Sequence, residues 1–373
     1  MPKIRVLIVD DAVVVRKMLS NTMNEDPEIE VVGVAPNGNI CLQKIPQVNP
    51  DIISLDIEMP EMNGLEALDK IREKWPKLPV IMFSTLTQKG ATATLDALSR
   101  GATDYVAKPS KATSLDEGIE LIKNGLIPKI KALCSESAGL DIPSNLPKPK
   151  PVVLEPSDPK NMKGIKRFHR VDIVAIGVST GGPNALAALM PTIPANFPVP
   201  IVIVQHMPAN FTKLLADRLN SKCELKIKEC EHGDVLHPGH VYIAPGDYHM
   251  YVQQSKDDVV ALINQAPPEN SCRPAVDVLF RSVAKVYGRN ALAVVLTGMG
   301  QDGMHGSQYI QARSGQVIVQ DEASSVVWGM PGFVVKAKMA DKIMPLDEIG
   351  PDIIQRSQTG RLASLIAGHR SVK

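Results

Sequence analysis

The sequence predicts an α/β protein with two domains, each built on a largely parallel β-sheet. The chain has 373 residues, which is enough for roughly two domains. Apolar strand patterns alternate with amphipathic helical patterns in both parts of the chain, and this alternation is typical of right-handed βαβ units. A stretch rich in proline and lysine separates the two parts, so we expect a linker between the domains.

The first part, residues 1–134, contains five short apolar runs that predict strands. These runs are Ile4–Val9, Glu30–Val34, Ile52–Leu55, Val80–Phe83 and Asp104–Ala107. Amphipathic patterns between them, such as Val14–Asn24 and Leu65–Trp75, predict helices. Because strands alternate with helices, we expect a five-stranded parallel sheet in this domain.

The composition changes at residues 135–170. Prolines, lysines and small polar residues dominate this stretch, and neither a helical nor a strand period is sustained. We therefore expect an exposed, semi-extended linker over these residues.

The remaining residues, 171–373, return to the alternating pattern. Strands are predicted at Asp172–Ile176, Pro200–Gln205, Leu225–Cys230, Val241–Ala244, Ala293–Thr297 and Gln316–Val319. Helices are predicted at Ala185–Met190, Thr212–Asn220, Ala275–Tyr287 and His305–Arg313. The stretch from Val241 to Ile263 alternates without helices, which favours an antiparallel hairpin. We expect a doubly wound, mainly parallel sheet with this hairpin attached.

Composition excludes several classes of protein. The net charge is +1, from 41 Lys and Arg against 40 Asp and Glu, and there is no long basic run, which argues against nucleic acid as the main partner. The five cysteines form no CxxC pair, so we expect reduced thiols. Neither a signal peptide nor an apolar stretch of bilayer-spanning length is recognisable. We expect a cytoplasmic monomer that is not inserted into a membrane.

Five side chains that suit phosphoryl transfer follow the predicted strands of the first domain. Asp10 and Asp11 follow the first strand, Asp56 the third, Ser84 the fourth and Lys108 the fifth. The carboxyl ends of parallel strands meet at one edge of a sheet, where ligands collect. Clustered carboxylates suit Mg²⁺, and a carboxylate can also act as a nucleophile. A single Asp after a strand is often only a helix cap, but five such residues at successive strand ends argue against that alternative.

The segments VDD, LDIEMPEMNG, FST and DYVAKP resemble the signature set of a two-component receiver domain. The resemblance covers residues 1 to about 133 and implies a flavodoxin-like, five-stranded parallel fold. It implies that Asp56 is the phosphate acceptor. It also implies that Asp11, Asp56 and the backbone carbonyl of Glu58 bind Mg²⁺, with Asp10 in support.

The same resemblance assigns roles to three switch residues. Ser84 would bind the phosphoryl group and move with it, and Lys108 would neutralise the charge of that group. Tyr105 would be the rotameric switch near the output face. The Lys108–Pro109 bond is expected to be cis, as in a receiver.

A serine-hydrolase pattern begins the second domain. Gly177, Ser179 and Gly181 fit G-x-S-x-G between a predicted strand and a helix. Glycines permit the sharp turn, and the helix N-terminus offers unpaired N–H groups for an oxyanion. The alternative is an anion-binding turn in which Ser179 only caps the helix. This motif alone leaves both interpretations open.

A serine nucleophile needs a base and an orienting carboxylate. Of the eight histidines, only His206 directly follows a strong buried-strand pattern, PIVIVQ, which places it at the same sheet edge as Ser179. Asp302 lies in a glycine-rich turn after the strand Ala293–Thr297, also at that edge. Three further histidines lie in a predicted loop, and we expect them to be solvated loop residues and not metal ligands. They are His232, His237 and His240.

Six segments of the second domain together resemble the catalytic domain of the chemotaxis methylesterase. They are IGVSTGGP, VQHMPANFT, YIAPGD, RPAVDVLF, LTGMGQDG and EASSVVWGMP. The resemblance implies that Ser179 is the nucleophile, His206 the general acid–base and Asp302 its orienter. It implies oxyanion donors at the backbone N–H groups of Thr180 and Met299, and no cofactor in this domain.

Together the two resemblances imply a carboxylic ester hydrolase of bacterial chemotaxis that is activated by phosphorylation. It would release methanol from glutamate methyl esters of methyl-accepting chemotaxis receptors and ammonia from receptor glutamines. A chemotaxis histidine kinase would be the phosphodonor. An unphosphorylated receiver could cover the catalytic site, and phosphorylation would shift the population toward an open state.

Two alternatives remain at this point. A small-molecule esterase under receiver control would use the same chemistry, and only the resemblance disfavours it. A DNA-binding response regulator would need a helix-turn-helix with a basic face after the linker. The strand, glycine turn and helix found there contradict that second alternative.

Overall fold

The computed structural model describes residues 2–85, 87–108, 115–134 and 170–359. Within these ranges the chain forms two α/β domains. The predicted linker lies outside the described residues except for Arg170, so its extended character stays a prediction. Pro109 also lies outside them, and the expected cis bond before it stays a prediction too.

The first domain has five strands that lie within one or two residues of the predicted bounds. The strands are β1 (Ile4–Val9), β2 (Ile29–Ala35), β3 (Ile52–Asp56), β4 (Val80–Ser84) and β5 (Asp104–Ala107). The helices are α1 (Val13–Asn24), α2 (Gly38–Val48), α3 (Gly64–Lys74), α4 (Gln88–Ser99), α5 (Leu115–Leu121) and α6 (Ile127–Cys134), and a π-helical turn at Ile122–Leu126 joins the last two.

All neighbouring strands of this sheet are parallel, in the order β2-β1-β3-β4-β5. The strand order reverses between β1 and β3, and ligands of open α/β sheets bind at such a switch point. The flavodoxin-like prediction is therefore confirmed. The carboxyl ends of β1 and β3 carry Asp10 and Asp56, so the fold brings these two carboxylates to the switch point.

The second domain contains ten strands and six α-helices among its described residues. The strands are β6 (Ile173–Val178), β7 (Ile201–Gln205), β8 (Lys226–Glu229), β9 (Asp234–Val235), β10 (His240–Ile243), β11 (His249–Ser255), β12 (Asp258–Asn264), β13 (Ala291–Val295), β14 (Gln316–Gln320) and β15 (Lys342–Met344). The helices are α7 (Gly182–Leu189), α8 (Phe211–Asn220), α9 (Val276–Tyr287), α10 (Met304–Ala312), α11 (Met330–Lys336) and α12 (Leu346–Gln358).

Seven of these strands form a parallel sheet in the order β15-β14-β13-β6-β7-β10-β8. Its central strands are buried along their whole length, as expected for a parallel sheet covered on both faces. The mainly parallel, doubly wound prediction is confirmed. This sheet occupies the position after the linker where a DNA-binding regulator would carry its helix-turn-helix.

The antiparallel hairpin is shorter than predicted and begins later. Strand β10, which begins the predicted hairpin region, pairs in parallel with β7 and β8 in the large sheet. The hairpin itself consists of β11 and β12, and β9 extends it to three antiparallel strands. Alternation with period two identifies a strand but does not show which other strand it pairs with. The sequence pattern therefore could not show that β10 pairs with the large sheet and not with the hairpin.

The structure also contains elements that the sequence patterns did not predict. Helix α11 has seven residues and strand β15 has three. Elements this short carry too few turns or alternations for periodicity to detect them. Among the described helices, none combines the length and the apolar composition that a bilayer-spanning segment needs.

The two domains pack against each other through α4 and β5 of the first domain. The ring of Tyr105 stacks on that of Phe211, with centroids 5.0 Å apart and an interplanar angle of 7°. Arg218 on α8 forms an ion pair of 2.9 Å with Asp96 and donates a hydrogen bond of 2.6 Å to Ser99 Oγ, both on α4. The contact joins the predicted output face of the first domain to the catalytic domain.

Candidate active site

The candidate catalytic residues follow three adjacent strands of the large sheet. Ser179 follows β6, and His206 follows its neighbour β7. The last paired residues of these strands are Val178 and Gln205, so the serine and the histidine come directly after a matched pair. Asp302 lies in the turn that follows β13, on the other side of β6. The three residues thus lie at one edge of the sheet because their strands are neighbours.

The turn at Ser179 depends on close backbone approaches. The Ser179 N–H donates to the carbonyl of Thr297 at 3.0 Å, which ties the turn to the end of β13. Gly181 has φ of +77°, and a Cβ there would lie 2.6 Å from the Val326 side chain. A Cβ on Gly298 would lie 2.8 Å from Ser179 Cβ. Glycine is needed at both positions, because a side chain would push the serine turn away from its neighbours.

Ser179 is half-buried and does not cap the following helix. The N-cap of α7 is Gly181, and no side chain caps that helix. Among the described residues, the Ser179 hydroxyl has no hydrogen-bond partner. The capping alternative therefore lacks support, and the hydroxyl is free to meet a substrate.

His206 and Asp302 form a direct pair. The distance between His206 Nε2 and Asp302 Oδ2 is 2.8 Å. The backbone of the histidine is held by a hydrogen bond of 3.1 Å from its N–H to the carbonyl of Val178, the residue before the serine. Because Nε2 is taken by the carboxylate, Nδ1 is the nitrogen left for acid–base work.

The Asp302 carboxylate is saturated with hydrogen bonds. Its two oxygens accept from the N–H groups of Val276 at 2.6 Å, Asp277 at 3.0 Å and Gly303 at 3.0 Å, and from the Asn270 side chain at 2.8 Å. Burial raises the pKa of Asp302, but the hydrogen bond and charge of His206 outweigh burial, so the net effect is a lowered pKa. The carboxylate therefore stays charged and keeps one orientation.

A second buried carboxylate supports the first, and the sequence patterns did not identify it. Asp277 accepts hydrogen bonds from the N–H groups of Gly303 at 3.0 Å and Gly306 at 2.6 Å, and from Asn270 at 2.9 Å. Burial and the negative charge of Asp302 raise the pKa of Asp277 to about 6. The segment RPAVDVLF contains this residue, but its role needed the contact with the distant turn.

Cys272 is the second group at the imidazole that the sequence patterns missed. Its Sγ lies 3.5 Å from His206 Nδ1. Burial lowers the pKa of His206, but the hydrogen bonds to Asp302 and Cys272 outweigh it and raise the pKa to about 10. The ring is therefore held between a carboxylate and a sulfur, and both contacts favour its protonated form.

Two backbone N–H groups near the serine have no partner among the described residues. They belong to Thr180, which is buried, and to Met299, which is half-buried. Thr180 follows the serine directly, and Met299 lies in the glycine-rich turn whose Gly298 approaches Ser179. Both groups are available to an oxyanion at this edge.

The loop histidines contact their own surroundings. His232 Nδ1 lies 3.2 Å from the carbonyl of Ile263, and His240 Nδ1 lies 3.0 Å from that of Pro238. Where the structure describes the chain, the one group of at least three potential metal ligands is in the first domain.

That group consists of Asp10, Asp11 and Asp56, whose carboxylate oxygens lie within 4.8 Å of one another. Lys108 Nζ lies 2.7 Å from both Asp10 and Asp56. Burial raises the pKa of Asp56 to about 6, although the charge of Lys108 opposes this shift. Hard oxygen donors in such a cluster fit the preferences of Mg²⁺.

The other predicted switch residues lie around this cluster. Ser84 is buried, and its Oγ donates to the carbonyl of Gly90 in the first turn of α4 at 3.3 Å. Tyr105 is buried against the second domain, whereas the side chain of Glu58 is exposed and lies 3.5 Å from Lys89. The Glu58 N–H donates to Asp56 at 3.3 Å, so its backbone adjoins the carboxylate.

A cavity of about 370 Å³ lies where the domains meet. From the first domain it is lined by Tyr105 and Lys129, among others, and from the second by His206, Cys272 and Arg273. The candidate catalytic histidine thus faces a space that the first domain closes on one side.

Two family models match the chain. The CheB methylesterase model matches residues 174–353, and the response regulator receiver domain model matches residues 6–120. A protein-glutamate methylesterase/protein-glutamine glutaminase from Trichodesmium erythraeum is 53% identical over 95% of this chain and 99% of that protein. A protein of the same name from Nocardioides sp. is 48% identical over 99% of both chains. The crystal structure of the Thermotoga maritima CheB methylesterase catalytic domain is 43% identical, covers 50% of this chain and 99% of its own, and has a TM-score of 0.49.

Proposed function

This chain belongs to the protein-glutamate methylesterase/protein-glutamine glutaminase family, and we propose that Ser179, His206 and Asp302 carry out its hydrolysis. Its activity is the demethylation of glutamate methyl esters and the deamidation of glutamines in chemotaxis, in a response regulator with a receiver domain. The observation that carries the assignment of residues is the His206–Asp302 pair of 2.8 Å at the strand edge that also bears Ser179.

In the proposed mechanism, Ser179 Oγ attacks the carbonyl carbon of the substrate side chain while His206 Nδ1 takes the hydroxyl proton. The N–H groups of Thr180 and Met299 stabilise the oxyanion. When the tetrahedral intermediate collapses, the imidazolium returns the proton to the leaving methoxide, and methanol departs. Water then hydrolyses the acyl-enzyme by the same proton transfers. A glutamine substrate follows the same route and releases ammonia.

The present arrangement needs one change before it can react. Nδ1 faces Cys272, whereas the mechanism needs Nδ1 to accept a proton from Ser179. The ring must also be neutral to act as a base, and the contacts with Asp302 and Cys272, which raise its pKa to about 10, disfavour the neutral form. An active state therefore weakens the contact between His206 and Cys272.

For the receiver domain, we propose Asp56 as the phosphate acceptor and a chemotaxis histidine kinase as the phosphodonor. Asp11, Asp56 and the Glu58 carbonyl would hold Mg²⁺, with Asp10 in support, and the cation would offset the charge of the incoming phosphoryl group. Lys108, now paired with Asp10 and Asp56, would turn to the phosphoryl oxygens. Ser84 would leave Gly90 and bind the same group.

The residues that would move in the receiver domain adjoin the contact between the two domains. Ser84 touches the first turn of α4, and α4 carries Asp96, the partner of Arg218. Tyr105 stacks on Phe211 and also lines the cavity beside His206. We propose that phosphorylation loosens this contact and exposes the catalytic edge to methyl-accepting chemotaxis receptors. The same contact would cover the edge in the unphosphorylated protein.

The test of the proposed function is methanol release from membranes that carry methylated receptors, compared with hydrolysis of a simple soluble ester. We expect the wild type to prefer the receptor and Ser179→Ala to lose both activities. Ser221→Ala, at an exposed serine after α8, is the matched control and should keep them. Equal hydrolysis of any soluble ester without methanol release from receptors would favour a small-molecule esterase.

A further inference from the structure

Cys272 forms a three-residue constellation with His206 and Asp302, and the hydrolytic mechanism does not use its sulfur. Its Sγ lies 3.5 Å from His206 Nδ1, and Nε2 of the same ring lies 2.8 Å from Asp302. A thiol, an imidazole and a carboxylate in this order match the arrangement that activates cysteine nucleophiles. The sulfur therefore competes with Ser179 for the single free nitrogen of the base.

The loop that carries Cys272 holds the sulfur in place. Reciprocal backbone hydrogen bonds join Glu269 and Cys272, at 3.0 and 2.9 Å. Asn270 and Ser271 between them have φ of +51° and +60°, in the left-handed region, which asparagine adopts more readily than serine does. Asn270 is further tied to Asp302 by its side chain. The position of the thiol at the imidazole is thus built into a tight turn.

His206 Nδ1 lies where it can accept the proton of the Cys272 thiol. When this proton lies on nitrogen, the sulfur is a thiolate, which is the form that attacks disulfides. The hydrogen bonds of the His206 ring to Asp302 and Cys272 raise its pKa to about 10, although burial opposes this, so the ring is a stronger base for the thiol proton. The Asp302 carboxylate, 2.8 Å from Nε2, stabilises the positive charge that the ring acquires when it takes this proton.

The other four cysteines lack such a partner. Burial raises the pKa values of Cys41, Cys134 and Cys230 to about 12, and it also raises that of Cys223. Within the described part of the chain, no histidine lies within hydrogen-bond distance of any of these four. Cys272 also lines the cavity of about 370 Å³ between the domains, so a small molecule has space beside its sulfur.

We propose that Cys272 is a modification site for low-molecular-weight disulfides, and that the adduct blocks His206 and stops hydrolysis. The sulfur of Cys272 attacks one sulfur of the disulfide, a new S–S bond forms, and the old S–S bond breaks. The released thiolate takes the proton that His206 held. Cys272 is oxidised and one half of the reagent is reduced, so electrons and atoms balance. Only the effect on hydrolysis rests on the proposed function, because it needs His206 as the base.

The experiment treats the full chain with glutathione disulfide and follows two readouts in one sample. Peptide mapping by mass spectrometry measures the adduct at each cysteine, and methanol release measures activity. We expect the adduct at Cys272 to form on the order of tenfold faster than at Cys223, because a neighbouring base activates only the former. Activity should fall in step with the Cys272 adduct and return after dithiothreitol.

Three variants sharpen the result. Cys272→Ala should be insensitive to the reagent, and Cys223→Ala should be modified and inactivated like the parent. His206→Ala should slow adduct formation at Cys272 to the rate at Cys223, a readout that does not depend on catalysis. Equal modification of Cys272 and Cys223 would overturn the site, and an unchanged methanol release from fully modified protein would overturn the block. If Ser179→Ala stayed active while the Cys272 adduct formed as expected, the proposed function would fail and the modification site would stand.

Discussion

The catalytic centre and the phosphorylation centre both lie at the switch point of a parallel sheet, but they hold their carboxylates in opposite ways. Asp302 accepts hydrogen bonds from three backbone N–H groups, one amide side chain and one imidazole. Asp10 and Asp56 instead each accept one backbone N–H, from Ala12 and Glu58, and share one lysine, Lys108. The hydrogen bonds to Asp302 fix the orientation of its carboxylate. In the receiver domain, Lys108 can instead leave the carboxylates of Asp10 and Asp56 when a metal ion and a phosphoryl group bind there.

The way in which each centre holds its carboxylates fits the function proposed for that centre. A triad carboxylate must keep one orientation through the reaction, so fixed backbone donors suit it. A switch must change partners, so a few mobile side chains suit it. Changes at the catalytic centre should therefore alter the rate of chemistry, and changes at the phosphorylation centre or the domain contact should alter the population of open protein.

The largest expected effect is the loss of the nucleophile. Ser179→Ala should leave the fold intact and reduce methanol release by about 10⁴-fold or more, because triad members act as one unit. Adding His206→Ala or Asp302→Ala should then cost little more. Losses that multiply in the double variants, or activity within a few-fold of the parent in Ser179→Ala, would show that these residues do not form a triad.

Removal of the receiver should have the next largest effect, in the opposite direction. If the receiver chiefly covers the site, deletion of residues 1–140 should raise basal methanol release by on the order of tenfold to a hundredfold. In the same assay, Asp56→Asn should keep the low basal rate and lose activation by a small phosphodonor. A circular-dichroism spectrum of each protein checks folding. A truncated protein no more active than the unphosphorylated full chain would refute occlusion of the site by the receiver. Activation would then have to come from a contact that the phosphorylated receiver makes with the second domain.

Asn270→Ala should give a smaller loss at the catalytic centre. The change removes a donor shared by Asp302 and Asp277. Leaving a buried charge short of one hydrogen bond costs about 1–3 kcal/mol, and we expect roughly a tenfold or greater decrease in kcat with little change in KM. Ser271→Ala is the matched control, because it sits at a similar positive φ in the same turn without those bonds. An equal loss in both variants would indicate backbone strain instead.

The pH dependence should report the contact between His206 and Cys272. The raised pKa of about 10 means that the ring loses its proton only in alkaline solution, so methanol release by the unphosphorylated protein should rise with pH toward that value. Cys272→Ala removes one of the groups that raise this pKa, so the rising limb should move to lower pH. A profile unchanged by the substitution would mean that the sulfur does not influence the base.

The smallest expected effect concerns the domain contact. Arg218→Ala removes the ion pair with Asp96 and the hydrogen bond to Ser99, and partly exposed contacts of this kind are worth about 1 kcal/mol. Basal activity should therefore rise by no more than about fivefold. Lys213→Ala, which removes an exposed pair with Asp217 on the same helix, should leave it unchanged. A decrease in Arg218→Ala would argue against a closed resting state.

The sequence by itself determined the two α/β folds and the residues at their strand ends. Asp10, Ser179 and His206 directly follow an apolar strand and Asp56 ends one, so the strand pattern predicted the sheet edge at which each would lie. The match between prediction and structure is close here because strand periodicity and turn chemistry are local. The predicted hairpin was less accurate, since pairing partners are a property of the whole sheet.

Only the tertiary structure decided how those side chains are held. Asn270 reaches Asp302 across 32 residues of chain, and Cys272 reaches His206 across 66. Both depend on a turn with two consecutive residues at positive φ, and only Asn270 is of a type that favours this conformation, so the sequence does not identify the turn. The stacking of Tyr105 on Phe211 likewise joins the two domains, and the sequence pattern of either domain does not predict this contact. The local sequence pattern therefore identified the candidate reacting residues. Their hydrogen-bond partners could be found only in the tertiary structure, because hydrogen bonds and burial depend on distance in space and not on distance along the chain.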